Sequence, residues 1–189
     1  MNSYINFLES HLGEIEYGWN KDAEDNILPF HIVKYKRGPF SGTVTYSTLG
    51  LSKQKLISPT SKKEIRQELI LVTYSNFGDK NIPGILQQVG LQAINNKVAY
   101  LRGDVIGPYG KMFQDFCLEA LYSSIPVYFP ETFQIFEVDG DLPIIQTWLF
   151  PITFNEAKFI KENGWDEFEN RLVDLDPDLV DFKRQSIIR

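Results

Sequence analysis

The residue types able to do chemistry are few in this sequence and stand apart from one another. The two histidines, His11 and His31, have no His, Cys or carboxylate neighbour at the spacing of a metal pair such as H-E-x-x-H, so each reads as a surface or satisfied core side chain. Cys117, the only cysteine, lies among Phe113, Phe116, Leu118 and Leu121 and reads as core filler, with no partner for an intrachain disulfide. Gly38-Pro39-Phe40-Ser41-Gly42 places its serine one position late for a G-x-S-x-G nucleophile elbow. No glycine-rich loop runs into Lys-Ser/Thr to cradle a phosphate. Asp139 and Asp141 could pair as carboxylates for a metal or for proton transfer, but Val138-Asp139-Gly140-Asp141-Leu142-Pro143 reads as a solvated hairpin tip. Arg102-Gly103-Asp104 spells an adhesion tripeptide and is read as chance. The expectation is a protein with no catalytic residue, no metal ligand and no cofactor, hence not an enzyme.

Charge points instead to contacts with another macromolecule. The formal charge of -6 disfavours direct binding of nucleic acid, which needs clustered Lys and Arg. Between Glu156 and Asp181 nine acidic residues face three basic ones, so the negative charge concentrates there and would steer a basic partner. Lys53, Lys55, Lys62 and Lys63 make one loop basic, either as a solvated run or as a contact for an acidic partner. The segment Met1 to Glu16 lacks a basic leader and no apolar run approaches the roughly 20 residues of a membrane span, so a cytoplasmic protein away from the membrane is expected.

The elements that would position these residues follow from periodicity. Tyr4, Ile5, Leu8, Leu12 and Ile15 predict an amphipathic helix stopped near Gly13. Ile27 to Tyr35, Thr43 to Leu49 and Ile65 to Tyr74 predict sequential antiparallel strands. Pro83, Ile85, Leu86, Val89 and Ala93 predict a second helix running toward Asn95-Asn96, while Lys111 to Tyr122 fits strand or helix equally well. Val127 to Phe129, Phe133 to Val138 and Ile144 to Phe150 are strand-like, with a hairpin turn at Asp139-Gly140. Thr153-Phe154-Asn155-Glu156 has the form of a capping box; Gly164 should stop the helix it starts, and Trp165, Phe168 and Leu172 a further short helix that Asp176-Pro177 ends. No repeat or linker interrupts the order, and residues 1–189 are expected to form one domain of the α/β (α+β) class.

Two sets of landmarks carry a family resemblance. Thr48-Leu49-Gly50-Leu51-Ser52 followed by Glu68-Leu69, then Trp148-Leu149-Phe150-Pro151-Ile152 with Glu156, Phe159, Ile160, Glu162-Asn163-Gly164 and Asp178 through Arg184, is similar to the suppressor-of-fused (SUFU) domain family from about Ile27 to Ile187. The resemblance implies a sandwich with a mixed, largely antiparallel sheet packed with helices. It also implies function by protein binding: bacterial single-domain members look like immunity proteins or antitoxins that capture a polymorphic toxin, including LXG-type toxins with nuclease ends. A basic nuclease domain would suit the acidic C-terminal segment, and the interface residues expected on that ground are Asp174, Asp176, Asp178 and Asp181, with Trp165 as an aromatic anchor or a core residue. The competing expectation is a regulatory or scaffold protein that takes an extended peptide at a sheet edge, as animal members of the family do. A sheet edge would also support a homodimer.

Overall fold

The computed structural model describes residues 3–188; Met1, Asn2 and Arg189 lie outside the described residues. Helix α1 (Ser3–Leu12) leads into strands β1 (Ile15–Lys21), β2 (Ile27–Tyr35) and β3 (Thr43–Leu49). Next come β4 (Leu56–Ile57), β5 (Glu64–Tyr74), α2 (Ile82–Asn96), β6 (Val105–Ile106), β7 (Leu118–Ser124), β8 (Ile135–Phe136) and β9 (Ile144–Thr153), then α3 (Phe154–Asn163) and α4 (Trp165–Leu175). The strands make one sheet in the order β1-β2-β3-β5-β9-β7-β6, with β4 paired to β5 and β8 to β9 off that path. Among the described strand pairs β5 and β9 run parallel, from Arg66 opposite Ile144 to Ile70 opposite Trp148, and the others are antiparallel; Ile57 of β4 makes an isolated parallel bridge to Val98. The fold is the expected α+β sandwich with a mixed, mostly antiparallel sheet.

Both faces of the central strands are buried, which is why β5 reads as a continuous apolar run rather than an alternation. Leu69 and Leu71 face α2, against Ile85, Leu86 and Val89. Ile70 and Val72 face the opposite layer, where α1 contributes Leu8 and Leu12, α3 Ala157 and Ile160, and α4 Phe168. Each of the Leu, Ile, Val and Phe side chains among them contributes roughly 1.5–3 kcal/mol by its burial. Helix α2 comes close to β2 because Gly90 leaves room for the Phe30 ring; a Cβ there would sit 2.4 Å from its tip.

The sheet is pinned by a buried carboxylate. Glu68, on β5, is fully buried and accepts five hydrogen bonds from the turn after β3: Thr48 Oγ1 (2.6 Å), the amides of Gly50 (2.8 Å), Leu51 (3.2 Å) and Ser52 (3.0 Å), and Ser52 Oγ (2.7 Å). Gly50 makes this cradle possible, since at φ 104 it adopts a conformation that a side chain would strain. Burial raises the Glu68 carboxyl above its ordinary range, and the five donors oppose that rise. On the other face the neighbouring Gln67 holds the segment before β6: its amide donates to Tyr100 O (3.1 Å) and Thr147 Oγ1 (2.8 Å), and its carbonyl accepts from Tyr100 N (2.8 Å).

Several expectations are corrected. Val127 to Phe129 is not a strand but a turn, because Pro126 and Pro130 flank it and cannot donate to a ladder. The expected strand from Phe133 to Val138 shrinks to Ile135–Phe136, with Glu131–Phe133 in a 3-10 turn. The undecided Lys111 to Tyr122 divides into irregular chain followed by β7 from Leu118. Ile15 belongs not to the first helix but to β1, whose exposed burial pattern gives little periodic signal. Cys117 is exposed rather than core filler, since it ends the irregular segment one residue before β7 turns its side chains inward. Among the described residues no helix is long and apolar enough to cross a membrane.

Replacing Glu68 by Ala leaves the cradle donors buried without an acceptor, so urea denaturation should show a loss of at least about 3 kcal/mol. A loss below about 1 kcal/mol would mean that water substitutes for the carboxylate.

Candidate partner-binding surface

The C-terminal segment begins at a fully formed capping box. Thr153 Oγ1 accepts from the Glu156 amide (3.2 Å), and Glu156 Oε2 accepts from the Thr153 amide (2.7 Å). The same Glu156 carboxylate, wholly buried, also receives Arg184 Nη1 (2.6 Å), Arg184 Nη2 (2.9 Å) and the Ile187 amide (3.0 Å), tying residues near the end of the chain to the start of α3. Burial pushes this carboxyl up, but the Arg184 guanidinium and the amides outweigh it and hold it below the usual carboxylate range. Pro151 is tolerated in β9 because the pairing with β5 stops at Trp148, and its carbonyl accepts from Arg184 Nη2 (3.0 Å).

Between α4 and Arg184 the chain crosses the end of the sheet as a strap. Tyr74 OH donates to Asp178 Oδ2 (2.7 Å), and Thr73 Oγ1 donates to the Val180 carbonyl (3.4 Å). Phe182 then drops into the opposite layer between Phe77 (5.0 Å) and Phe113 (5.5 Å between ring centres).

These contacts divide the acidic residues. Glu156, Glu162, Glu167 and Glu169 each face a cation: Arg184, Lys158, Arg171 and Arg102. Glu169 also accepts from Tyr122 OH (2.8 Å). Asp178 and Asp181 shape the strap, since Asp178 Oδ1 accepts from the Val180 (3.1 Å) and Asp181 (3.3 Å) amides and Asp181 Oδ1 from the Lys183 amide (2.9 Å). Asp176, at φ 42, is the left-handed cap of α4, and Asp174 is exposed on its last turn.

Asp176, Asp178 and Asp181 come together around two tyrosines. Asp178, through its hydrogen bond, and Asp181 raise the Tyr74 hydroxyl; burial, then Asp178 and Asp176, raise that of Tyr128. Phe40 packs edge-on against Tyr128 at 4.9 Å while remaining 48% exposed, and Val127 beside it is 54% exposed. An apolar patch thus borders the acidic strap. Sequence reading missed Phe40, Val127 and Tyr128; a large aromatic between two glycines in the Gly38–Gly42 turn was the available signal.

Trp165 lies apart, at the other end of α4, about 15 Å away at the helical rise. It is not a core residue: it is 42% exposed, with Arg102 stacked 5.2 Å from the ring centre and Gly103 pressed against the ring. The remaining chemical candidates do not converge. His11 lies between Phe7 (4.8 Å) and Phe133 (5.1 Å), His31 is exposed, and Asp141 pairs with Arg66 at 2.6 Å. Of the basic loop, Lys55 faces Glu64 at 3.8 Å and Lys62 donates to the Pro59 carbonyl at 2.7 Å. Among the described residues no three His, Cys, Asp or Glu side chains gather as a metal site.

A mixed, mostly antiparallel sheet flanked by helices is the fold that SUFU-like structures share with this chain. The family profile described as Suppressor of fused protein (SUFU) matches residues 27–185, and the chain belongs to that family. A putative SUFU homolog from Neisseria gonorrhoeae superposes with a TM-score of 0.74 at 16% identity, covering 98% of this chain and 93% of that one. A chain of the Sufu-Fu complex gives 0.69 at 12% identity, covering 98% and 91%. Drosophila Suppressor of Fused gives 0.53 at 13% identity, covering 90% of this chain and 42% of that one. Among curated proteins none matches the sequence.

The depressed Glu156 carboxyl sets a pH dependence. A folded pKa below the unfolded one gives stabilisation that is complete above the ordinary value of about 4.3 and lost as pH falls through the folded value. Arg184→Met should therefore cost about 3–5 kcal/mol at neutral pH, and the gap from the native chain should shrink in acid. Denaturation curves with the same gap at both pH values would contradict this.

Proposed function

We propose that this protein works by stoichiometric capture of another protein and has no chemistry of its own, and that its partner is a cognate toxin with a basic nuclease domain. The observation that carries the reading is the juxtaposition of exposed Phe40 and Val127, on either side of half-buried Tyr128, with Asp176 and Asp178. Buried aromatics supply most interface energy while rim charges set the association rate, and a surface carrying both suits a partner that must expose Lys and Arg to phosphates. Asp174 extends the negative edge along α4, and Trp165 with Arg102 offers a second, separate contact. The relative seen in the Sufu-Fu complex is a family member in a protein complex, which favours protein capture as the general mode. The toxin as partner is the further step of this proposal, taken from what the family resemblance implies for bacterial single-domain members.

A second reading, binding of an extended peptide at a sheet edge, rests on a different place. Beside the short edge strand β6 lies an apolar groove of about 530 Å³ lined by Val105, Pro108, Phe154, Ala157 and Ile160, with Lys158 and Lys161 on its rim. The opposite edge, β1, is a poorer template for a peptide or a second copy, because irregularities in register interrupt its pairing with β2 at both ends.

Co-expression with a candidate toxin, sought among the products of neighbouring genes, followed by purification through a tag on one of them, tests capture. Co-elution in fixed ratio with toxicity relieved is expected; no complex and no relief would leave the peptide reading, which a peptide array would then examine. In the complex, Asp174→Lys with Asp176→Lys should slow association by about tenfold at low salt and flatten its salt dependence. Unchanged kinetics would remove the acidic edge from the interface.

A further inference from the structure

Helix α2 lies on the face of the sheet opposite α3 and α4, and its outer surface is unusual. Across Ile82–Asn96 it contains no Asp, Glu, Lys or Arg, in a chain with 23% charged residues. The outer turns of α4, by contrast, carry Asp166, Glu167, Glu169, Arg171 and Asp174. A helix face that merely meets water has no reason to exclude charge. The outer side of α2 forms the floor of an open cleft of about 720 Å³, lined by Gln87, Gln88, Gln92, Asn95, Asn96 and Tyr109 and bounded by the β1–β2 turn. Tyr109 is 58% exposed, yet its position is set: Gln92 Nε2 donates to its hydroxyl (2.9 Å), and that hydroxyl donates to Gln92 Oε1 (3.1 Å).

We propose that this cleft binds a neutral oligosaccharide. Each carboxamide presents two N–H donors and a carbonyl acceptor side by side, the pattern that neighbouring sugar hydroxyls require because each both gives and takes a hydrogen bond. A fixed, exposed tyrosine ring offers the flat apolar surface on which the C–H face of a pyranose stacks. Ligands that carry phosphate, carboxylate or ammonium groups would find no counter-charge in this lining. An extended peptide would find no ladder, because the α2 backbone is already bonded within the helix. The openness of the cleft makes affinity modest, and the site is independent of the capture surface.

The test is titration of the ¹⁵N-labelled full chain with maltohexaose, cellohexaose and chitohexaose at millimolar concentration. At least one should shift the side-chain amide signals of Gln87, Gln88, Gln92, Asn95 or Asn96. Gln92→Ala and Tyr109→Ala, each with an unchanged melting temperature, should weaken that sugar by about tenfold, the effect of losing one well-formed contact. Silence with all three sugars would overturn the proposal, as would undiminished binding in both variants. So would a glutamine-rich peptide, run as a control, that shifts these signals when the sugars do not; the face would then be a protein-docking surface.

Discussion

The rest of the architecture depends on one carboxylate. Glu68 sits buried in the middle strand of the sheet, and its polar head is tolerated there because the turn after β3 wraps three amides and two hydroxyls around it. That wrapping fixes where β3 ends and so sets the register of β3 on β5. Gln67, one residue earlier and facing the other way, does the equivalent for the chain that leads to β6. Two adjacent side chains therefore brace loops on opposite faces of the sheet, and both helical layers pack on strands held by them.

How much of this was legible follows from where local signals were strong. The strands Ile27–Tyr35, Thr43–Leu49 and Glu64–Tyr74, helix α2 and the Thr153 capping box were readable because their patterns are local and their burial is one-sided or complete. Strand β1 is hidden by its exposure, and Val127 to Phe129 imitates a strand by its apolar residues although the flanking Pro126 and Pro130 cannot donate to a ladder. The motif glycines and Glu68 were visible as landmarks, but their joint purpose was not, since a carboxylate and its five donors are separated by 16 to 20 residues. The acidic C-terminal segment was visible as charge; its division into internally paired and outward residues was not. Arg102 and Arg184 lie outside that segment, and only the folded chain brings them to it.

That division changes how the segment can act. Summed over the sequence it resembles a uniform negative surface, but its glutamates are largely engaged with arginine or lysine, and its outward character rests on a few aspartates near Tyr74 and Tyr128. On the proposed capture reading, recognition there would depend on shape and on apolar contact at Phe40 and Val127 at least as much as on long-range attraction. The same Asp178 that would meet a partner also folds the strap on which it stands.

The strap has a kinetic meaning as well. Tyr74 and Asp178 are 104 residues apart, and Thr73 and Val180 are 107 apart, so the strap joins distant parts of the chain and its loop-closure entropy must be met before its contacts repay it. Contacts absent from the transition state act mainly as a brake on unfolding. The segment that joins the two layers thus governs how long the native state lasts more than how quickly it is reached, and a partner seated on it would lengthen the lifetime of the fold itself.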